Sequence, residues 1–406
     1  MSEAAESTTR CCIVGGGPAG LILTLLLARR GVETVLLESH ADFDRDYRGD
    51  TVHPPTLDLF DRLGILDRVL ALPHAEMREF TPPGQSSGFR LDLMDVPHPY
   101  VAMMPQAPLL ALLAEEIGRM PNARIEMGSA FRELIVEGDR VVGVVYRKGV
   151  EEHRLRATFT VGADGRGSKV RKAAGLHAQD QSPPMDVLWF RLPRRPDEPE
   201  GAHGAVARGR ILILLNRGPE WQIALLFPKG DFQAMKERGI EALREVLVAA
   251  EPSLADRVDA LTDWKDLHLL KVAADRVERW YRDGLLVIGD AAHVMSPVGG
   301  VGINYAIQDA VAAANRLAGP LLSGSVPIEA AARVQRDREF PTRVIQFVQR
   351  RMQATIVERV FDGGSPPKFP WFVRIPFVAR FFVRLMTYGI RPSVLGPEWG
   401  REAVAK

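Results

Sequence analysis

The chain has 406 residues, 46% of them hydrophobic, which is enough to bury a core in two domains or in one large domain with an insertion. A formal net charge of +1 argues against a nucleic-acid binder held by bulk electrostatics. The N-terminal MSEAAESTTR lacks the features of a signal peptide, and no apolar run approaches the ~20 residues of a membrane-spanning helix.

Residues 10–38 predict a strand, a turn, a helix and a second strand. The strands RCCIVG and VETVLLE are continuously apolar, as expected for a parallel sheet that is buried on both faces. Cys11 and Cys12 are adjacent in the first strand and therefore point to opposite faces. We expect two core residues rather than a disulfide or a metal site, and a reducing cytoplasmic setting.

The remaining pattern predicts a nucleotide-binding domain in several pieces, with a second sheet inserted between them. The predicted elements are a helix after Pro54-Pro55 running to residue 72, a helix at 109–120, a hairpin around Gly138-Asp139, a buried-type strand before Asp164, antiparallel strands at 186–228, helices from 231 to about 261, and helices after 303 interrupted at 362–370. The stretch PRRPDEPEGA between two of the antiparallel strands is interpreted as a solvated loop.

The first chemical motif is G-x-G-x-x-G, formed by Gly15, Gly17 and Gly20 between the first strand and the first helix. Glycines at this spacing allow a tight turn and let a pyrophosphate approach the backbone at the positive end of the helix. Glu38 ends the next strand, where a carboxylate accepts hydrogen bonds from an unphosphorylated ribose. The motif predicts dinucleotide binding but does not separate NAD from FAD.

Two later stretches separate these cofactors. VGADGRGSKVR has Asp164 after a buried-type strand, and GDAAHVMSPVGGVGIN has Asp290 after another. Ligands of doubly wound sheets bind beyond the carboxyl ends of the strands, so three such sites suggest one long ligand lying across them. NAD has no evident need of the third site.

The three motifs, in this order and across nearly the whole chain, resemble those of the FAD-dependent aromatic hydroxylases with a single nucleotide-binding fold. These are the para-hydroxybenzoate hydroxylase family and the related ubiquinone-biosynthesis-type hydroxylases. The expected fold is α/β, a Rossmann-like FAD-binding domain with an inserted, mainly antiparallel β-sheet substrate domain and a helical C-terminus. The expected boundaries are 1–75, 106–176 and 276–325 for the FAD-binding domain, 76–105 and 177–275 for the substrate domain, and 326–406 for the C-terminal helical region.

The resemblance also implies roles for individual residues. The implied FAD contacts are the pyrophosphate loop of Gly15, Gly17, Pro18, Ala19 and Gly20, Glu38 at the adenosine ribose, Arg48 at the phosphates, Gln106 on the ribityl side, Asp164 in a motif tied to both FAD and the nicotinamide donor, Asp290 at the ribityl chain, Pro297 beside the flavin ring, and the loop and helix start Gly300, Gly302, Ile303 and Asn304. Many relatives have Gly-Gln-Gly or Lys-Gly before this last helix, where the chain has Gly300-Val301-Gly302.

The helix starting near Ile303 is expected to direct its free N–H groups at the pyrimidine edge of the flavin. Reduced flavin is anionic there, and a helix end stabilises such a charge by ~0.3–2 kcal/mol. His293 either braces this loop or faces the cofactor. His53 is a candidate acid, base or substrate contact near the flavin ring.

Trp189, Arg191 and Trp221 are the candidate substrate contacts. Trp189 and Arg191 share one face of a strand and Phe190 lies on the other, and the sequence leaves open which face lines the cavity. From 368 to 406, seven Lys or Arg stand against Glu398 and Glu402, a net charge of +5. This aromatic, basic segment is either a helix docked on its own domain or one in peripheral contact with a membrane.

The resemblance implies a monooxygenase in which NADH or NADPH reduces FAD and a flavin hydroperoxide hydroxylates an apolar aromatic or polycyclic small molecule with O2. The choice between NADH and NADPH stays open, because only one complete dinucleotide motif is present. The alternatives are a related FAD-dependent reductase or epoxidase, and a non-oxygenase FAD-holding redox or interaction module.

Overall fold

A computed structural model describes residues 6–44, 51–85, 88–198, 201–368, 371 and 375–399. In the first third of the chain the elements are β1 (Glu6–Val14), α1 (Pro18–Arg29), β2 (Thr34–Leu37), β3 (Thr51–Val52), α2 (Pro54–Arg62), α3 (Leu66–Leu70), β4 (Ala75–Met77), β5 (Glu79–Thr81), β6 (Phe89–Arg90), β7 (Val101–Met103), α4 (Gln106–Gly118) and β8 (Ala123–Glu126). The middle part contains β9 (Ser129–Glu137), β10 (Arg140–Lys148), β11 (Glu151–Gly162), α5 (Lys169–Ala173), β12 (Ala178–Asp180), β13 (Met185–Pro193), β14 (Ala202–Ala207), β15 (Arg210–Asn216), β16 (Glu220–Pro228), α6 (Phe232–Glu237) and α7 (Gly239–Ala250). The last part contains β17 (His268–Leu270), β18 (Asp275–Val277), β19 (Tyr281–Arg282), β20 (Leu285–Val287), β21 (His293–Val294), α8 (Gly302–Ser323), α9 (Ile328–Met352), α10 (Glu358–Phe361) and α11 (Pro376–Thr387).

The first sheet is the parallel sheet that the sequence predicts. Its strand order is β19-β20-β11-β1-β2-β8; β20, β11, β1, β2 and β8 run parallel to one another, and β19 is antiparallel to β20. Ile13, Leu36, Val161 and Leu286 in its central strands have no exposed surface, because the sheet is covered on both faces. Helix α1 packs between α4 and α8, and the hairpin of β9 and β10 extends from β11.

The second sheet has the order β17-β13-β16-β15-β14-β5-β6 and is antiparallel except where β14 meets β5. One face is covered by α6 and α7, and Phe190 lies on this face in a fully buried apolar cluster. Trp189 lies on the opposite face, in a cluster with Val298 and Val357 from the other part of the molecule. The structure thus assigns Phe190 to the helix-covered face, a point that the sequence left open.

Two small sheets connect the larger ones. β3, β7 and β4 form one, in the order β3-β7-β4, and β12, β18 and β21 form the other. Within the predicted substrate segment 76–105, β5 and β6 join the second sheet, whereas β7 pairs with β3, whose Thr51 donates a hydrogen bond of 2.6 Å to the carbonyl of Gly300.

Three local predictions from the sequence differ from the structure. The helix predicted up to residue 72 breaks at Gly64, whose φ of +66° is favourable only for glycine, so α2 and α3 are separate. The loop PRRPDEPEGA is not simply solvated, because Glu198 within it is 9% exposed and binds Trp221 and Arg257. The helical pattern after 303 ends with α11 at Thr387, and the described residues that follow are mainly irregular.

Helix α11 docks on its own chain. The Phe382 ring lies 5.1 Å from that of Phe89, and Tyr388 beyond the helix end donates a hydrogen bond of 2.7 Å to Asp58. The outward side of the helix leaves Phe377 and Phe381 exposed. Within the described residues, no helix combines the length and the apolar character that crossing a membrane requires.

Candidate functional site

The candidate site lies where four neighbouring parallel strands end. β2 ends before Glu38, β1 before Gly15, β11 shortly before Asp164, and β20 shortly before Gly289-Asp290. Because these strands are adjacent in the sheet and run in the same direction, their loops line one edge. The three motifs of the sequence, separated by more than a hundred residues each, are therefore brought together.

The first loop is shaped for a ligand that contacts the backbone. Gly15 has a φ of +110°, and a Cβ added there would lie 2.4 Å from the carbonyl oxygen of Ala163. A Cβ on Gly20 would lie 1.9 Å from the oxygen of Gly15, so both positions require glycine. A Cβ on Gly17 would meet no protein atom within 4 Å, which leaves open space directly over the start of α1.

Helix α1 begins in a way that keeps its N–H groups available. Pro18 is at its first position, where a missing N–H costs nothing, and no side chain caps the helix. Ala19 packs beneath the loop, 3.4 Å from where a Cβ on Gly289 would lie. Free N–H groups and the positive helix end suit a pyrophosphate.

Glu38 borders this loop and is 3% exposed. Its Oε2 accepts a hydrogen bond of 2.7 Å from the N–H of Gly16, and its Oε1 accepts one of 2.9 Å from the N–H of His40. Oε1 also accepts a hydrogen bond of 3.2 Å from the Ser39 hydroxyl and lies 2.6 Å from the Nδ1 of His40, so these contacts fix the carboxylate at the end of β2, beside the first glycine loop.

Asp164 and Asp290 have different environments. Asp164 caps α5, because its Oδ2 accepts hydrogen bonds from the N–H groups of Lys169 (2.7 Å) and Val170 (3.1 Å). Burial raises the pKa of Asp164 despite these hydrogen bonds. Asp290 is partly exposed and lies 3.3 Å from the Nε of Arg166, so the loops after β11 and β20 are linked by an ion pair.

The late glycine loop leads directly into α8. Pro297 begins a 3-10 turn, and Gly299 and Gly300 follow with φ of +81° and +62°. Helix α8 starts at Gly302, one residue before the predicted Ile303, and no side chain caps its first N–H groups. No side chain occupies these N–H groups, which leaves them available to an anionic ligand edge.

Asn304 uses its side chain within the protein. Its Oδ1 accepts hydrogen bonds from the N–H of His53 (2.8 Å) and the hydroxyl of Thr56 (2.9 Å), and its Nδ2 donates to the carbonyls of Thr51 (3.0 Å) and Gly300 (3.4 Å). All four hydrogen-bonding capacities of the amide are thus occupied. Asn304 therefore anchors the segment before α2 to the start of α8, and only its backbone is free for a cofactor.

His53 is held beside this junction and is 3% exposed. Burial lowers its pKa to about 4, so the ring is neutral near pH 7. Nδ1 lies 3.2 Å from the carbonyl oxygen of Thr387. A carbonyl only accepts, so Nδ1 holds the proton and Nε2 keeps a lone pair; no described residue binds Nε2.

His293 braces the loop, which is one of the two roles that the sequence left open. Its Nε2 lies 2.6 Å from Asp309, which also accepts hydrogen bonds from the N–H of Gly289 (3.0 Å) and the Nε of Arg338 (2.8 Å). Asp309 and Arg338 have no exposed side-chain surface. Burial raises the pKa of Asp309, but His293 and Arg338 outweigh this effect and the pKa lies below its usual value. Sequence reasoning missed Asp309 and Arg338, because their pairing joins two helices.

The candidate substrate residues separate into two groups. Trp189 is half-buried on the face turned toward Val298, and Arg191 on the same strand pairs with Glu220 at 3.4 Å near the surface. Trp221 is 1% exposed on the helix-covered face, where its Nε1 donates a hydrogen bond of 2.8 Å to Glu198. Trp221 thus belongs to the core of the second sheet, and we do not retain it as a substrate contact.

Two candidates have less structural context. Gln106 is the first residue of α4 and is half-buried, three residues after β7. Arg48 lies outside the described residues.

The sequence matches the FAD binding domain family over residues 8–347, which is most of the chain. The chain belongs to this family. Over 402 residues it is 38% identical to 6-methylpretetramide 4-monooxygenase of Streptomyces rimosus, covering 94% of this chain and 92% of that one. It is 29% identical over 362 residues to the 12-dehydrotetracycline 5-monooxygenase/anhydrotetracycline 6-monooxygenase of Streptomyces rimosus subsp. rimosus, covering 85% and 69% of the two chains.

The fold is also that of solved structures. The crystal structure of Pseudomonas aeruginosa PqsL in complex with 2-aminobenzoylacetate matches with a TM-score of 0.77 at 22% identity, over 88% of this chain and 99% of that one. The predicted resemblance and fold class are confirmed, and the cofactor is FAD. The chain is an FAD-dependent monooxygenase.

The residues present fit FAD. Gly17 leaves space over the free end of α1, and the uncapped start of α8 borders the late glycine loop. A dinucleotide with a flavin at one end is long enough to contact both loops. One ligand therefore explains why two glycine-rich loops that are distant in sequence occur in the same chain.

Proposed function

We propose that this member of the FAD binding domain family hydroxylates a polycyclic aromatic small molecule, using O2 and either NADH or NADPH as the electron donor in the cytoplasm. One observation carries the proposal: the apolar face of the second sheet meets the loop that contains Pro297. Trp189 belongs to the same buried cluster as Val298, the residue after Pro297. A flat apolar substrate held on this face would therefore lie against the loop of Pro297, which we propose borders the flavin.

The relatives support the substrate class. The two Streptomyces enzymes are named for 6-methylpretetramide and for tetracycline compounds, which are polycyclic. FAD, when bound, supplies the reaction of reduced flavin with O2. The residues of this chain hold the cofactor and exclude water, because a closed apolar environment protects a reactive oxygen species from hydrolysis.

The FAD contacts that we propose follow the site. Gly15, Gly17, Pro18, Ala19 and Gly20 would bind the pyrophosphate, Glu38 the adenosine ribose and Asp290 the ribityl chain. Pro297, Gly300, Gly302 and the N–H groups of Ile303 and Asn304 would border the flavin ring, with Arg48, Gln106 and Asp164 as the remaining contacts.

His53 is the proposed hydrogen-bond acceptor for the substrate. The carbonyl of Thr387 fixes the proton on Nδ1, which leaves the Nε2 lone pair for a phenol or enol hydroxyl. An acceptor at this point increases electron density on the substrate ring and orients it for attack.

The first experiment measures turnover with defined compounds. The protein is loaded with FAD, and oxidation of NADH and NADPH is followed in air with anhydrotetracycline, an anthraquinone and 4-hydroxybenzoate. We expect donor oxidation to be stimulated by a polycyclic compound, with one atom of 18O from 18O2 in the product by mass spectrometry. Stimulation by the monocyclic phenol alone would contradict the substrate class, and an unlabelled or merely reduced product would contradict monooxygenation.

The second experiment tests which face of the second sheet binds substrate. Trp189→Ala should raise KM for the polycyclic substrate roughly tenfold, since an aromatic contact contributes about 1.4 kcal/mol. Trp221→Phe is the matched control on the opposite face and should leave KM unchanged. Equal effects of the two substitutions would show that the wrong face has been assigned.

The third experiment separates the two nitrogens of His53. His53→Asn keeps a donor near the position of Nδ1, whereas His53→Gln has an amide oxygen near the position of Nε2. We expect kcat/KM to fall about 100-fold in the first variant and about 10-fold in the second, with FAD content unchanged. If the two variants lose the same activity, Nε2 is not the acceptor.

A further inference from the structure

Three buried glutamines lie on one face of α9 and of the π-helical turn that continues it. Gln346, Gln349 and Gln353 are three and four residues apart, the spacing that aligns side chains on a helix. Each is at most 4% exposed, at positions where a packed helix usually has apolar residues.

Gln349 binds the carbonyls of the residues before and after Pro297. Its Nε2 donates a hydrogen bond of 2.9 Å to the carbonyl of Ser296 and one of 2.7 Å to the carbonyl of Val298. Its Oε1 is buried without a partner among the described residues, so the amide acts here as a donor. One side chain thus fixes the carbonyls of the residues before and after Pro297, which we propose lies beside the flavin.

The other two glutamines bind next to this segment, Gln346 at the paired strands β18 and β21 and Gln353 at Ser296. Gln346 donates to the carbonyls of Asp275 (3.0 Å) and Val294 (3.3 Å), and Gln353 donates to the hydroxyl of Ser296. Gln353 begins a π-helical turn that continues α9, an irregularity that occurs frequently at functional sites.

The residues that follow β21 need these hydrogen bonds because they no longer belong to a sheet. Beyond β21 its carbonyls no longer face a neighbouring strand, and Pro297 contributes no N–H to a turn. Buried carbonyls without donors are costly, so the glutamines both satisfy them and restrict the loop to one position.

We propose that Gln349, aided by Gln346 and Gln353, is a positioning residue that sets the distance of Pro297 from the flavin and the substrate. The effect on the substrate depends on the proposed function, whereas the effect on the flavin depends only on FAD binding. Gln349 would act on the flavin only indirectly, by holding the loop of Pro297.

The test compares two methionine substitutions on α9. Gln349→Met keeps length and volume but removes both hydrogen bonds to the loop. Gln335→Met is the control: Gln335 is also buried, donates to the carbonyl of Glu278 (2.8 Å) and accepts from the N–H of Trp280 (3.0 Å), but these residues lie before β19. Both variants should lower the thermal midpoint by similar amounts.

Only Gln349→Met should change the flavin. With FAD alone, we expect a shifted visible spectrum of the bound flavin and a Kd for FAD about fivefold higher than in the control variant, measured by fluorescence. With substrate and donor, hydrogen peroxide formed per donor oxidised should rise about tenfold, because a small misplacement of a reacting group has a large effect on coupling.

The outcomes separate this inference from the proposed function. If both variants change the flavin spectrum equally, or if neither does, Gln349 has only a structural role. If the wild type turns over no substrate, the proposed function fails, while the FAD measurements still decide the inference. Should Gln349→Met fail to fold, Gln353→Met removes only the bond to Ser296 and should still shift the flavin spectrum relative to Gln335→Met; an unshifted spectrum would then contradict the inference.

Discussion

Substituting Asp309 by Asn tests the buried charges that hold the GDAAH loop. The Oδ2 of Asp309 accepts from Gly289 and His293, and its Oδ1 accepts from Arg338. An amide has one oxygen, so in either orientation its NH2 faces a donor, the N–H of Gly289 or the Nε of Arg338. The guanidinium also loses its counterion, and we expect a loss of about 3–5 kcal/mol in the free energy of unfolding.

The assay is urea unfolding of the FAD-loaded protein, with a control on the same two helices. Arg316 on α8 pairs with Asp337 on α9 at 2.8 Å, but both are about 40% exposed, so Asp337→Asn should cost less than about 1 kcal/mol. The double variant Asp309→Leu with Arg338→Met should cost less than the sum of the single changes. A cost for Asp309→Asn close to that of Asp337→Asn, or strict additivity, would refute the coupling.

Three further changes test other parts of the molecule. Gly20→Ala should destabilise the protein by about 1–3 kcal/mol and reduce the flavin retained after gel filtration, because its Cβ would lie 1.9 Å from a backbone oxygen; full retention would contradict the close packing of the first loop. His53 has its pKa lowered from 6.5 to about 4, so the unfolded chain binds a proton first and stability falls with decreasing pH in this window. From pH 6.5 to 5 the unfolding free energy of the wild type should fall by about 1.6 kcal/mol more than that of His53→Gln, and parallel curves would contradict the burial of the ring. Glu198→Ala removes one of the two carboxylates that pair with Arg257 (Asp256 is the other) and the acceptor of the Trp221 Nε1–H, and should lower the urea midpoint while FAD content stays constant; parallel loss of flavin would show that this cluster also supports the cofactor.

The fold could be predicted where the signal is local. The apolar runs of β1 and β2 and the glycines between β1 and α1 predict a parallel strand unit from neighbouring residues alone. The order of three motifs predicted the FAD family. The sequence could not decide whether Trp189 or Phe190 faces the cavity. Alternation along a strand separates its two faces but does not show which of them is covered by helices.

The missed residues make contacts that are distant in sequence. Asp309 on α8 pairs with Arg338 on α9, and Glu198 pairs with Arg257, which lies 59 residues later in the chain. One signal was available: glutamines at 346, 349 and 353 on the buried face of an amphipathic helix indicate that irregular backbone packs against it. The sequence did not specify which backbone, because that depends on the path of the loop.

The order of strands in the first sheet has a consequence for biosynthesis. β11 is the central partner of both β1 and β20, and the edge where we propose that FAD binds is completed only when β20 joins. The ribosome must therefore make about seven tenths of the chain before the cofactor has a complete site, and the helix that fixes the proton on His53 is made later still. Such pairings between distant segments are slow to form, so we expect flavin to be loaded late, after the segment that ends at Thr387 has been made.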